Sequence, residues 1–413
     1  MKINVIDLFA GCGGLTDGFL QTQKFNTLAA VDWEFSTVRT LKNRLESKWN
    51  YALSESQVIH FDIQRTQELI DGFDDSLYGK SVGLAAVVGQ SKVNCIVGGP
   101  PCQAYSIAGR VRDTNGMKDD YRNFLFESYV KMVSHFKPAM FVFENVEGIL
   151  SAEPGGISIT KRIREAFSEI GYEITDDLRE NALFDTSYYR VPQRRKRVII
   201  YGVKKGETST VEISKFYSKM KSRKTDSPEN SEVAFAELPG LYPIRNNTGI
   251  TKKSHEPKGT EILPFNHEPR FHSERDIQIF RTLASDIQSG TFKYNSSASL
   301  INLYQEVTGK TSQFHKYHVI RLDKPSNTIP AHLYKDGLRH IHPDPLQARS
   351  ITVREAARIQ SFDDDFEFKG SRGDQYKMIG NAVPPRFARI IAEVVYELFE
   401  EYELKTEPVF AAI

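Results

Sequence analysis

"NVIDLFAGCGGL", residues 4–15, sets five apolar residues and an aspartate ahead of a turn with three glycines in four positions. A short apolar run that stops at glycine reads as a buried strand, and the helix-period segment after the glycines reads as its crossover. A glycine-rich turn between a first strand and a first helix lets backbone approach a ligand closely. The turn is not GxGxxG and lacks the lysine of a phosphate loop. Taken alone, it fits a nucleoside ligand or a purely structural tight turn.

The same alternation continues downstream. "TLAAVD" (27–32), "NCIVGG" (94–99), "AMFVFEN" (139–145) and "RVIIYGV" (197–203) read as further strands. Between the third and fourth, Tyr121, Leu125, Tyr129, Met132 and Phe136 recur at helical spacing. Strands alternating with helices predict a parallel α/β sheet with helices on both faces. In such a sheet the ligand crevice lies at the carboxyl ends of the strands, so the strand tips form the candidate site. Asp32, about 20 residues past the glycine turn, stands where such folds set a carboxylate against ribose hydroxyls. Trp33 offers a face for adenine or fills the core. Asp62 in "HFDI" (60–63) offers an acceptor for an exocyclic amine or is a solvated loop residue.

At 413 residues the chain exceeds the roughly 250 to 300 at which single cores stop growing, so two domains are expected. A change after Val203 to polar, turn-rich sequence places a boundary near 204. The expected division is a catalytic and cofactor-binding domain over 1–204, a smaller irregular domain over 205–345 and a segment 346–413 returning to the first. Thr352 and Glu355 form a capping-box signature ahead of "REAARIQ". "PPRFARIIAEVVYELFEEY" (384–402) carries an apolar stripe whose simplest partner is the sheet.

Three cysteines without a CxxC pair give neither a disulfide framework nor a zinc knuckle, and a reducing cytoplasm fits best. Ten histidines contain no HExxH or paired spacing, so no metal is implied. No run approaches about 18 apolar residues, and the expectation is a soluble, unexported protein without a membrane role. The net charge of +1 conceals basic runs at 190–197 and 215–224 and an acidic one at 397–403. "KFYSKMKSRK" (215–224) reads equally as a phosphate-binding loop or a solvated basic face.

With "DLFAGCGGL", "VDWE", "GGPPCQAYS" (98–106), "ENV" (144–146), "QRRKR" (193–197), "REAARIQ" (354–360) and "GNAVP" (380–384) in this order, the chain resembles the cytosine-5 DNA methyltransferases. The match covers the first ~200 and last ~70 residues. It implies a Rossmann-like sheet that binds S-adenosylmethionine and releases S-adenosylhomocysteine, with a target recognition domain in the middle, its variable part at about 205–320 before "KPSNTIPAH" (324–332). Carried over by position, Phe9, Gly11, Cys12, Gly13, Gly14, Leu15, Asp32, Trp33, Asp62, Ile63, Pro100, Asn381 and Ala382 would contact the cofactor.

Cys102 would be the nucleophile. C5 of cytosine is a poor nucleophile inside an aromatic ring, and adding a thiolate to C6 leaves an enamine-like C5 that attacks an electrophilic methyl. Arg195 and Arg197 are expected to help ionise the thiol, with Arg197 holding the cytosine O2 and Arg195 bracing the cysteine loop. Glu144 would protonate N3, which calls for a carboxyl pKa above its ordinary ~4.3. The prolines ahead of Cys102 stiffen its loop. Gln103, Ser106, Arg194, Lys196, Arg245, Lys252 and Lys253, with Asn246 and Asn247, are the expected contacts to double-stranded DNA, from which the target base must be flipped. Cys95 reads as a buried small hydrophobe.

The resemblance further implies a monomer of a restriction-modification system, protecting a short site from a cognate restriction endonuclease. A tRNA cytosine-5 methyltransferase and an idle nucleic-acid-binding regulator are the alternatives. The filled key positions count against the second. An amino-methyltransferase would need a D/N-P-P-aromatic turn, and none is present.

Overall fold

The computed structural model describes residues 2–52, 54–101, 125–206, 208–244, 253–260, 262–312, 316–335 and 337–406. They form two compact units. The first comprises 1–189, 196–226 and 382–413, and the second 190–195 and 227–381. Residues 205–226 thus lie with the first unit, and 346–381 with the second.

The first unit is built on an eight-stranded sheet. Its strands are β1 (Ile3–Leu8), β2 (Phe25–Asp32), β3 (Val58–His60), β4 (Cys95–Gly98), β5 (Met140–Val146), β6 (Tyr172–Ile174), β7 (Leu183–Asp185) and β8 (Lys196–Lys204). They lie in the order β3, β2, β1, β4, β5, β8, β6, with β7 also on β8. β1 to β5 are mutually parallel, whereas β8 runs antiparallel to β5, β6 and β7. The expectation of an all-parallel sheet therefore fails at its fifth predicted strand.

The chain order reverses between β1 and β4. The right-handed rule for crossovers between parallel strands assigns α1 (Gly14–Gln21) and α2 (Phe35–Trp49) to one face and α3 (Leu125–Phe136) to the other. α3 buries Tyr129, whose hydroxyl lies 2.9 Å from Ile96 O and 3.0 Å from Val142 O. Beside it, α4 (Ile159–Glu169) stacks Phe167 on Phe141 with ring centroids 4.1 Å apart.

α5 (Ser209–Ser222) follows β8. Two helices near the end of the second unit precede the return to the first unit in the final helix, Pro385–Thr406, whose apolar stripe packs mainly on α1 and α5 and also meets the sheet through Tyr396 on Phe25 of β2 and Phe387 on Phe184 of β7. The approach to α1 is close because of two glycines. A Cβ at Gly14 would lie 2.2 Å from Val383 O, and one at Gly18 2.5 Å from Pro385 O. The basic run 215–224 lies on and just beyond α5, and the acidic run lies on the final helix. Lys215 meets Glu401 at 2.6 Å, Lys219 meets Glu397 at 2.9 Å, and Arg223 pairs with Glu397. The two charge blocks of the sequence face each other.

The second unit has little regular structure. α6 (Glu274–Gln288) and α7 (Ser297–Thr308) close a small core around Ile279, Phe280, Leu283, Leu300 and Leu303. Leu241–Pro243 and His255–Pro257 pair as a short antiparallel ribbon. α8 (Val353–Ile359) starts with the expected capping box of Thr352 and Glu355, and α9 (Arg372–Asn381) ends the unit. The final helix is α10 (Pro385–Thr406).

Four buried histidines, 255, 267, 272 and 342, tie these segments together, and His340 is buried beside them. His255 Nε2 lies 2.9 Å from Gln347 O and His272 Nε2 3.1 Å from Ser350 Oγ. His267 meets Thr352 Oγ1 at 3.0 Å, and His342 stands 3.5 Å from Glu355, itself paired with Arg349.

Candidate active site

At the carboxyl end of β1 the chain turns through three left-handed residues, Phe9 (φ 58°), Gly11 (φ 56°) and Gly13 (φ 95°). Two are glycines, for which this region costs little. Phe9 is a bulky residue held there by its surroundings, the kind of strain that collects at ligand sites. Gly11 N–H donates to Asp32 Oδ2 at 2.9 Å, closing the loop onto the tip of β2. Asp32 Oδ1 accepts from Glu34 N and Thr37 Oγ1 at 2.9 and 2.8 Å. The carboxylate is thereby fixed in orientation rather than left to sample rotamers.

Trp33 is 57% exposed, so the core reading of this residue fails and its ring is open beside Asp32. Phe61 N donates to Asp32 O at 3.0 Å and carries the third tip, where Asp62 is half-buried and Ile63 buried. Cys12 and Leu15 are buried under the loop, and burial pushes the Cys12 thiol far up. Gly14 faces the returning segment, where an added Cβ would lie 3.4 Å from Ala382 Cβ. Phe9, Gly11, Cys12, Gly13, Gly14, Leu15, Asp32, Trp33, Asp62, Ile63, Pro100 and Ala382 all belong to the first unit, whereas Asn381 ends α9 in the second.

The neighbouring tips of β4 and β5 carry the other half. Pro100 O accepts from Asn145 Nδ2 at 3.3 Å, joining the two tips. Glu144 is almost wholly buried, and its Oε1 lies 2.7 Å from Arg197 Nε on the adjacent strand β8. Its Oε2 occupies the other side, 2.6 Å from where a Gly99 Cβ would stand. Any side chain at position 99 would displace that oxygen. "QRRKR" alternates as a strand should, with Gln193, Arg195 and Arg197 buried and Arg194 and Lys196 exposed. Lys196 Nζ lies 3.2 Å from Glu147. Arg195 belongs to the second unit, where its guanidinium donates to Ile329 O at 3.3 Å and Gly380 O at 2.9 Å. Lys253 is exposed. Cys102, Gln103, Ser106, Arg245, Asn246, Asn247 and Lys252 lie outside the described residues.

The reading of the tips passed over Asp7. It is buried in β1 with Oδ2 accepting from Thr16 Oγ1 at 2.5 Å, and its Oδ1 has no hydrogen-bond partner among the described residues. Burial pushes its pKa up to about 7, with a smaller push from Asp32. The signal was an acid inside an otherwise apolar strand. Gln193 and Gln360 were passed over as well. "KFYSKMKSRK", one of whose readings was a phosphate loop, is instead mostly helix with three of its cations on α10 carboxylates.

The sequence profile of the C-5 cytosine-specific DNA methylases matches residues 3–397. The Type II methyltransferase M.Bpa9945I of Bacillus paralicheniformis is 32% identical, over 95% of this chain and 98% of its own length. M.DdeI of Desulfomicrobium norvegicum is 29% identical, over 97% and 90%. Among solved structures, a DNA modification methyltransferase encoded within an E. coli prophage aligns with TM-score 0.63 at 20% identity, over 97% of this chain and 100% of that one. The Dnmt2 methyltransferase of S. pombe aligns with TM-score 0.54 at 15% identity, over 97% and 99%. At these identities the structural likeness speaks for the fold. Profile and relatives together span the glycine loop, the Glu144 and Arg197 pair and the returning helix, and the chain belongs to the C-5 cytosine-specific DNA methylases.

Proposed function

We propose that this DNA cytosine-5 methyltransferase acts through a transient bond between Cys102 Sγ and C6 of a cytosine flipped from duplex DNA, and that it modifies one short sequence. The observation that carries the reading is Glu144, buried, with one oxygen on Arg197 and the other beside Gly99, three residues before Cys102. S-adenosylmethionine, when bound, supplies an electrophilic methyl carbon on a sulfonium. The chain's loop 9–15, Asp32, Trp33, Asp62, Ile63, Pro100, Asn381 and Ala382 are the residues proposed to hold it. The fit rests on the donor set: an oriented carboxylate suited to ribose hydroxyls, an open indole face and a tight glycine turn.

In this reading Glu144 places a proton at N3 of the base as the thiolate adds at C6, which prevents negative charge from accumulating in the ring. Arg197 orients that carboxyl and reaches the cytosine O2. After methyl transfer, loss of the C5 proton expels the thiolate and restores the aromatic ring. Arg194, Lys196 and Lys253, with Gln103, Ser106, Arg245 and Lys252, are proposed to contact DNA. Phosphate contacts offset the few kcal/mol of base flipping.

The relatives are named Type II methyltransferases, which supports a role in protecting host DNA from a cognate endonuclease. We further propose that the chain works as a cytoplasmic monomer. No helix among the described residues is long and apolar enough to cross a membrane. Bisulfite sequencing of DNA from cells expressing the chain tests the reading. The expected result is protected cytosines in a single short sequence, lost with Cys102→Ala. Absence of protected cytosines above the empty-vector level contradicts it.

A further inference from the structure

Two buried glutamines, far apart in sequence, carry a one-way chain of hydrogen bonds through the second unit. Ile329 N–H donates to Gln193 Oε1 at 2.7 Å, Gln193 Nε2 donates to Gln360 Oε1 at 2.6 Å, and Gln360 Nε2 donates to Ile379 O at 2.6 Å. Both side chains are 0% exposed. A backbone N–H at one end only donates and a backbone C=O at the other only accepts, so each amide has one allowed orientation. Flipping either amide would set like groups against each other at both of its ends, without water to replace the lost bonds.

The acceptors at the far end are the last carbonyls of α9, which a helix cannot satisfy from within. Gln360 takes Ile379 O, and Arg195 Nη2 takes Gly380 O at 2.9 Å. Gln193 and Arg195 hold the other side, since Gln193 accepts from Ile329 N and Arg195 Nη1 donates to Ile329 O at 3.3 Å. Gly380 lies so close to this segment that a Cβ on it would stand 2.4 Å from both Ala331 N and Pro330 C. The end of α9 is therefore fixed by side chains from two distant motifs. The next residue is Asn381.

We propose that the Gln193 and Gln360 pair is a positioning device for the cofactor. It fixes the last turn of α9 so that Asn381 is presented in one place. Loss of the pair weakens cofactor binding while leaving the chemical step at saturating cofactor nearly intact. The inference rests on the reading that Asn381 contacts the cofactor.

Gln360→Met removes both polar ends at similar volume. Gln360→Glu keeps the shape and one acceptor, lacks the donor to Ile379 O when ionised, and regains it when protonated. The test uses the full chain and measures S-adenosylmethionine affinity by calorimetry, with kcat and the KM for genomic DNA at saturating cofactor. The expected outcome is cofactor affinity weakened about tenfold in both variants, the size of a buried acceptor losing its donor, with kcat within about twofold. Between roughly pH 8.5 and 6.5, Gln360→Glu recovers affinity as its buried carboxyl protonates, whereas Gln360→Met stays flat. Cofactor affinity within about twofold of wild type in Gln360→Met, or a loss confined to kcat or to the KM for DNA, overturns the proposal. Should Gln360→Met fail to fold, the recovery in Gln360→Glu decides, and its absence counts against the proposal. Asn381→Ala separates the two possible failures. Unchanged cofactor affinity there removes the reading of Asn381, whereas weakened affinity there beside wild-type affinity in Gln360→Met removes the positioning role alone.

Discussion

Arg197 Nε lies 2.7 Å from Glu144 Oε1 across the antiparallel pair of β5 and β8, with each side chain only about a tenth exposed. A buried pair of this kind adds little net stability, yet removing one partner strands the other charge. Arg197→Ala is expected to destabilise the fold by about 3 kcal/mol, and adding Glu144→Gln to it should restore part of that loss. Glu144→Gln alone should keep the fold and lower kcat by about 10² to 10⁴, the range for a lost general acid. Denaturant titration and methyl-transfer kinetics on the three variants check both halves.

Gly99 is the counterpart on the other side of the carboxyl. A methyl group there would sit 2.6 Å from Glu144 Oε2, an oxygen that Arg197 keeps from swinging away. Gly99→Ala should therefore shift the carboxyl by a fraction of an ångström, lower kcat on the order of 10²-fold and barely change the melting temperature. An Ala variant with wild-type kcat would show that Glu144 need not stand where it does.

Acid should loosen the second unit. Burial lowers the pKa of His255 and His340 to about 4 and of His272 and His342 to about 3, from 6.5. The unfolded chain then binds more protons than the folded one between about pH 6.5 and 4, so stability falls as pH drops through that window. The slope is about 1.4 kcal/mol per pH unit for each histidine. Asp7 opposes this, because its pKa is raised to about 7 and its proton favours the folded state as pH falls from 7 towards 3.8. Burial raises Asp32 as well, but two raised acids do not offset six histidines lowered by burial, His267 and His318 among them. Hydrogen exchange at pH 7.5 and 5.5 should show protection lost at 241–243, 254–257 and 340–355 before β1 and β2. Equal loss in both units would contradict the assignment.

The α5 and α10 strip predicts salt-sensitive stability without a role in DNA binding. Lys219 stands 2.9 Å from Glu397 and 3.4 Å from Glu401, partly exposed like its neighbours. Glu397→Lys should cost about 1 kcal/mol at low ionic strength and much less in 1 M salt. Lys219→Ala should leave affinity for DNA within about twofold, whereas loss of a phosphate contact would weaken it and reduce its salt slope.

Most of the sheet is legible because its signals are local: apolar runs stopping at glycine, the Thr352 and Glu355 cap, and the stripe of α10. The direction of β8 is not local, since an apolar run reads alike whichever way it pairs. The charge blocks at 215–224 and 397–403 are visible, but nothing in either shows that Lys219 meets Glu397, 178 residues away. Gln193 and Gln360 are 167 residues apart and carry no periodicity. The strand tips are readable as a site because the fold gathers carboxyl ends, whereas the second unit offers almost no repeating pattern from which to read its histidine contacts.

The bond between Cys102 and C6 can be trapped in a duplex in which cytosine is replaced by 5-fluorocytosine. With no proton at C5 to lose, the thiolate cannot be expelled after methyl transfer, and the adduct should persist through denaturation. Cys12 and Cys95 are buried, with thiols pushed far up, so neither competes. The expected result is a cofactor-dependent protein–DNA band on a denaturing gel, mapped by peptide mass to Cys102 and absent in Cys102→Ala. Methyl transfer to ordinary duplex DNA with no such band, or a band that survives in Cys102→Ala, would contradict the account.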